Sequence, residues 1–521
     1  MKRKLSILMI LCVLCSTFAG CNWLSRTNMI DPAKQDSSAD AETQEHEMAS
    51  ETVMNEAQAP EILRLAYQED YGLNPFTTVS LNNRSILSLL YEPLFVVNSE
   101  YQVEPVLAES VEISDNGKTT TITLRNGPTF HNGDRVTAED VVYSYELAKE
   151  SDYYGNRFYY FDSVEVFSTR IVVITTSVSY ENAALLLDFP IVRKDTGADP
   201  IPDGTGPFVY DPSYTLQRYE KWWQEEWFLG YEKAALTPCT TAADIRDHYE
   251  YGQVNLVCSD PSSAAYAAFH YDYELWSAPT TVMQYIGFNH NSKVFGLDAV
   301  RSCITYAINR DTIVADDLGG CAIAATLPAS PLSPCYNAGL ASDYDYDLGT
   351  FREILQSAEI KDYTEDGVLD VYVGEYSVPL DGTMIVNASS NQRVATAERI
   401  AEYLNNAGFN IKVKALDDDD YMDALEYQNF DLYYGEIRMS PNFDMGSFFR
   451  DYGSANYAGS ANSAALDLCT SMLENSGNAY DLHKWVMDKG WICPILFKSY
   501  AVYTTRGAAN NLNPAVDWII H

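Results

Sequence analysis

Positive charge is scarce in this chain: 34 Lys and Arg stand against 73 Asp and Glu over 521 residues, a formal net charge of -39. Such a surface repels phosphate, which excludes nucleic acid as a partner and a polybasic patch as a membrane anchor. The charge of a local cleft can still oppose the global sign. The seven His do not cluster at metal-ligand spacing. There is no HExxH, GxSxG, SxxK or P-loop, and Gly204-Thr205-Gly206-Pro207 is not continued into a dinucleotide-binding fingerprint. Carboxylates abound, yet nothing in their order selects the pair a glycosidase needs. No cofactor is implied, and a carbohydrate-active enzyme is a rival reading without a motif of its own.

Long apolar runs are also missing. The strongest, Leu5 to Val13, follows Lys2, Arg3 and Lys4 and leads to Phe18-Ala19-Gly20-Cys21. A basic start, a short apolar stretch and small residues make an export signal, too short to remain as a membrane span. The Ala-Gly-Cys ending resembles a lipobox. The expectation is cleavage of residues 1–20 and diacylglyceryl transfer to Cys21, which anchors the protein at the outer face of the cytoplasmic membrane. Residues 22–60 hold eight Asp or Glu against two Arg or Lys, with few large apolar side chains. Too little apolar surface is available there to offset ordering entropy, so 21–60 is expected to be a disordered acidic tether. That long tether favours a Gram-positive surface over a periplasm. About 460 residues follow, more than one core usually serves, and at least two lobes are expected. Beyond Cys21 lie seven cysteines with wide spacing and no CxxC. They read as neither a zinc site nor a dense disulfide framework, and Cys321 with Cys335 is the nearest plausible bridge.

The segment beginning at Leu107 carries the most local information. Thr119, Thr121 and Thr123 alternate with Thr120, Ile122 and Leu124 after an Asn116-Gly117 turn, the period-2 pattern of a strand. Thr137, Glu139 and Asp140 then open an apolar-periodic helix with acid in its first turn. His131 has no partner motif and reads as structural. Four submotifs occur here in order: Ala108 with Asp115 and Gly117, Leu124-Arg125-Asn126-Gly127, Phe130-His131-Asn132-Gly133 and Thr137-Ala138-Glu139-Asp140-Val141. In this order and spacing they resemble family 5 of the bacterial extracellular solute-binding proteins, the oligopeptide-, dipeptide- and nickel-binding components of ABC importers.

The resemblance extends over roughly residues 60 to 505. Leu73-Asn74-Pro75-Phe76, Tyr91-Glu92-Pro93-Leu94 and Gly204-Thr205-Gly206-Pro207 look like family turns. Tyr285-Ile286-Gly287-Phe288-Asn289 looks like the strand that crosses between lobes. The helix pattern Val300-Arg301 through Ala307-Ile308 to Arg310 reads as packing, with Arg301 and Arg310 in lobe-internal ion pairs rather than on ligand. Met384 to Ala415 reads as a βαβ unit whose first loop, with Asn391 and Gln392, opens at the ligand-binding edge of an α/β sheet. Asp362, Thr364, Asp366 and Asp370 fall at calcium-loop positions around Gly367. Position 12 is Val373 rather than Glu, so a solvated turn is expected and no metal.

The resemblance implies an α/β, two-lobed periplasmic-binding-protein-like fold with a hinge and an extra subdomain in the first lobe. That lobe is expected over 61–286, with 493–521 returning to it, and the second over 287–492. It further implies a monomeric binding lipoprotein that captures a small solute, peptide or amino-acid-derived, and delivers it to a permease. A ligand-sensing or adhesive surface lipoprotein is the other alternative. At the strand Phe430 to Gly435 the peptide binders continue into Trp-x-x-Asp-Tyr, whereas this chain reads Glu436-Ile437-Arg438-Met439-Ser440. The expected α-ammonium anchor is therefore out of place. Arg438 offers a fork for an anion and Asp444 a displaced carboxylate, with Glu436, Tyr434, Asn391 and Trp222 as the surrounding candidates. Glu436 and Arg438 could equally pair with each other or with neighbours and only fix the loop.

Overall fold

The computed structural model describes residues 29–30 and 60–520, apart from 225–229, 264–268, 270–272, 460 and 510–511. Cys21 and the export signal lie outside the described residues. Within the stretch read as a tether, Met29 and Ile30 pair with Trp276 and Leu275.

One sheet organises the molecule. Its path uses β1 (Leu63–Tyr67), β2 (Phe208–Asp211), β3 (Thr215–Arg218), β4 (Lys233–Pro238), β5 (Leu256–Ser259), β6 (Tyr273–Phe288), β7 (Asp381–Asn387), β8 (Asn410–Leu416), β9 (Leu432–Arg438) and β10 (Ile492–Thr505). The spatial order is β2-β3-β4-β1-β5-β10-β6-β9-β7-β8. The long strands β6 and β10 run antiparallel from Tyr273↔Thr505 to Gly287↔Ile492. They are almost continuously buried, because each has neighbours on both edges and cover on both faces. β5 joins the far end of β10, at Leu256↔Thr504 to Ser259↔Ala501. β9 joins the opposite end of β6, at Val282↔Arg438 to Phe288↔Leu432. The two groups of strands therefore hang from opposite ends of one strand pair. The ladder between them shifts register between Pro279 and Met283, where a proline has no N–H to donate.

Local readings translate directly. Thr119–Leu124 is a strand in a separate four-stranded sheet, and Ala138–Glu150 is the helix beside it, closed by a capping box between Thr137 and Asp140. This is the additional subdomain. β7, the helix Asn391–Asn406 and β8 form the parallel βαβ unit. The Ser390 side chain caps the helix, and Gly408 leaves it at φ +103°. Where one packing helix was expected from Asp298, the structure has Asp298–Cys303, a 3-10 turn, and a new helix Arg310–Leu318. The Asn309 side chain accepts from Thr312 N at 3.1 Å, which starts the second helix and ends the first.

Further expectations meet the structure here. Arg301 does form the internal ion pair, with Asp298 at 2.6 Å. Arg310 instead donates to the carbonyls of Pro494 and Thr305, since the β10 entrance offers it backbone oxygens and no carboxylate. All seven cysteines described are free, Cys321 and Cys335 included. His131 packs edge-on against Tyr219 with Nε2 3.1 Å from the Gly206 carbonyl. Asp362 turns onto its own loop, accepting from Gly367 N at 2.8 Å. No helix among the described residues is long and apolar enough to cross a membrane.

Candidate functional site

Where β10 crosses β6 the sequence places one lysine in an otherwise uncharged strand. Lys498 is 3 % exposed, and a buried ammonium has three donors to satisfy. It reaches Asp260 Oδ2 at 2.7 Å, Ser262 Oγ at 2.7 Å and Glu436 Oε2 at 3.0 Å. Burial alone would lower the Lys498 pKa, but Glu436 and Asp260 outweigh it and hold the value above the ordinary range. Burial likewise pushes Asp260 up, and Lys498 overcomes this to bring it below the usual carboxylate range. Gln284 from β6 donates to Glu436 at 2.9 Å and to Gln392 Oε1 at 3.2 Å. Tyr434 OH closes the chain by donating to Gln284 Oε1 at 2.7 Å. One ammonium thus stands against two carboxylates.

Next to it opens a cavity of about 570 Å³, lined by Gln68, Tyr71, Asn82, Thr240, Asp260 and Tyr500 among others. Among the described residues, Asp260 is the only charged one that lines it. The volume lies within the usual range of small-molecule sites.

On the other side of Tyr500 lies a network of the opposite sign. Arg438, at the end of β9, donates to Tyr500 OH and to Asp517 Oδ1, both at 2.9 Å. Its guanidinium stacks over the Tyr153 ring at 4.2 Å, and Arg84 stacks over the same ring at 3.3 Å. Tyr153 OH donates to Asp517 at 2.5 Å. Arg157 bonds to Asp188 and lies 3.6 Å from Asp517 Oδ2. Three guanidiniums therefore share two buried carboxylates. Burial raises Asp517, yet Arg438, Arg157 and Arg84 together hold it below the ordinary value. Asp188 has Arg157 as its main cation, and burial wins there, pushing it up to about 6. Beside this network a cavity of about 50 Å³ is lined by Tyr153, Arg157, Arg438, Asp444, Ser447 and Arg450, with others. Asp444 and Arg450 pair at 3.2 Å.

The family model for bacterial extracellular solute-binding proteins, family 5, matches residues 102–459. The chain belongs to that family. This solute-binding protein is 23% identical to the oligopeptide-binding protein AppA of Bacillus subtilis over 455 residues, 83% of this chain and 79% of AppA. It is 27% identical to the glutathione-binding protein GsiB of Salmonella typhimurium over 310 residues, 56% of this chain and 60% of GsiB. Among solved structures, the ABC transporter substrate-binding protein CtaP of Listeria monocytogenes superposes with a TM-score of 0.69 at 18% identity, over 89% of this chain and 98% of CtaP. The α/β architecture is thus the two-lobed one of that family.

The candidate residues fall into four places. Tyr434 and Glu436 belong to the Lys498 network, and Arg438 and Asp444 line the small cavity. Glu436 and Arg438 do not pair with each other: β9 turns one to Lys498 and the other to Asp517. Asn391 is exposed in the first turn of its helix, one residue past Ser390, whose hydroxyl donates to the Ser262 carbonyl. Trp222 stands elsewhere, donating with Trp223 to the buried Glu92 carboxylate at 3.1 and 3.0 Å. Sequence reasoning passed over Lys498, although a lone lysine within an otherwise uncharged strand was a visible signal. It also passed over Arg84, Arg157, Asp188 and Asp517, for which no local pattern exists.

Proposed function

We propose that this protein captures a small zwitterionic solute, peptide or amino-acid-derived, and passes it to the permease of an ABC importer. The observation that carries this reading is the pair of oppositely charged networks meeting at Tyr500. Lys498 with Asp260 and Glu436 carries one excess negative charge, and the arginines around Tyr153 carry one excess positive charge. A solute with one ammonium and one acid group complements both, and Arg438 is the anchor proposed for the acid. The names of AppA and GsiB, one an oligopeptide binder and one a glutathione binder, support the same solute class.

In this reading the first lobe comprises 61–286 with 493–521, and the second 287–492. The contacts Ser390 with Ser262, Glu436 with Lys498 and Arg438 with Asp517 then all bridge the lobes and belong to a closed form that ligand selects. The protein works as a monomer, held outside the cytoplasmic membrane by lipid on Cys21; Cys21→Ala should abolish retention, and unchanged retention with normal cleavage would refute the anchor. The deciding measurement is thermal stabilisation across peptides, amino-acid derivatives, sugars and metal chelates. A true ligand at 100 times its Kd adds about 2.7 kcal/mol. Stabilisation by sugars alone would sink the proposal.

A further inference from the structure

We propose that the arginine cluster around Tyr153 is a carboxylate subsite that accepts one negative charge and no more, and that Asp517 sets this number. The proposal rests on the zwitterion reading above and names the charge its acid group must carry. Guanidiniums do not lose their protons in proteins, so Arg84, Arg157 and Arg438 fix three positive charges. Asp188 and Asp517, whose side chains are 0% and 1% exposed, supply two negative ones. The Arg450–Asp444 pair across the small cavity is neutral in sum. One positive charge is left, and an uncompensated charge inside a protein is costly enough to favour an incoming anion.

The geometry says where that anion goes. Arg157 and Arg438 both line the cavity of about 50 Å³, and Arg157 Nη2 is buried without a hydrogen bond, its nearest carboxylate oxygen, Asp517 Oδ2, standing 3.6 Å away and itself unbonded. Its cationic donors are guanidiniums, whose paired N–H groups match the two oxygens of a carboxylate. Asp517 itself is an inserted carboxylate. It is held by Tyr153 and Arg438 at a left-handed φ of 63°, a conformation uncommon for a residue with a side chain. Buried Val516, Trp518, Ile519 and Ile520 fix the segment around it. With Asp517 in place the site holds the balance for a monoanion; with an amide there, the balance is that of a dianion.

Formate and oxalate serve as probes, compared by calorimetric titration and thermal unfolding at pH 8 in the full-length protein and in Asp517→Asn. Non-specific salt effects act on both proteins alike. Wild type should bind formate at least tenfold more tightly than oxalate, and Asp517→Asn should reverse that order. A folded variant with the order unchanged overturns the proposal, as does wild type that binds neither anion. If Asp517→Asn does not fold, Arg84→Gln decides, because it brings the cluster to zero and should lose formate binding about tenfold or more; unchanged binding refutes the charge count. A peptide that stabilises the wild type while the anion order stays fixed leaves solute capture standing and removes this subsite. Anion binding that follows the charge count, with no solute captured, does the reverse.

Discussion

Glu92 shows what a single buried carboxylate costs when aromatic donors replace a cation. It is 5% exposed, accepts from Trp222 and Trp223, and burial outweighs those bonds to push it up to about 7. Because the folded-state value is raised, the group's contribution to stability is complete below the ordinary carboxyl value and is lost as pH rises through about 7. At 1.36 kcal/mol per unit, the loss amounts to roughly 3 kcal/mol as an upper bound. Glu92→Gln keeps an acceptor for the indoles and never ionises. It should melt close to wild type at pH 5 and measurably higher at pH 8; equal melting temperatures at both would show that Glu92 is not strained by its charge. Arg438 poses the opposite case. Arg438→Ala removes both the proposed anchor and a partner of Asp517, so affinity should fall by about one to two decades, with a stability loss as well. Breaking a buried pair costs about 3–5 kcal/mol, and the lower end applies because Arg157 and Tyr153 still face Asp517. Pairing the change with Asp517→Asn should recover part of that loss in a double-mutant cycle; strict additivity would show that the two side chains are not coupled.

At the scale of elements, β10 is where a strand pattern and a site meet. Its run from Ile492 to Thr505 is uncharged except at Lys498, where Asp260, Ser262 and Glu436 converge. Lys498→Met should cost about 3–5 kcal/mol at neutral pH, since two carboxylates lose their cation. Asp260, lowered by Lys498, gives stability that is present above its unfolded pKa and lost as pH falls through the folded one. The defect should therefore shrink in chemical denaturation near pH 3, and a defect of constant size would assign it to packing alone. Elements of this kind were legible wherever the determinant was local. The alternating threonines gave the strand at Thr119–Leu124, and Thr137 with Asp140 gave the helix start. Asn309 was a cap hidden inside a helical period, and only its bond to Thr312 N reveals the break. The site was half legible for the same reason. Tyr434, Glu436, Arg438 and Asp444 share one recognisable strand and loop, whereas Arg84, Arg157, Asp188 and Asp517 are assembled by ion pairing across more than four hundred positions of sequence.

For the whole molecule, the question is what holds the two groups of strands together around the β6–β10 pair. The connection is narrow: two strands, with a ladder that shifts register between Pro279 and Met283. Besides Asn442 with Tyr180 and Ser476 with Glu181, three polar contacts stand across it: Ser390 with Ser262, Glu436 with Lys498 and Arg438 with Asp517. Two of these three leave an excess charge on one side, so they are weaker clamps without a solute than with one. Rotation about the register shift would break them while leaving the apolar packing inside each group intact, a hinge motion of the usual kind. The free protein should accordingly sample an open form. In small-angle scattering its radius of gyration should exceed the roughly 23 Å of a compact chain of about 460 residues and fall towards that value with a saturating peptide identified by thermal stabilisation. The comparison is made on protein beginning at residue 60. A radius unchanged by a solute that demonstrably binds would mean that the contacts across the crossing are permanent and that ligand enters a site already closed.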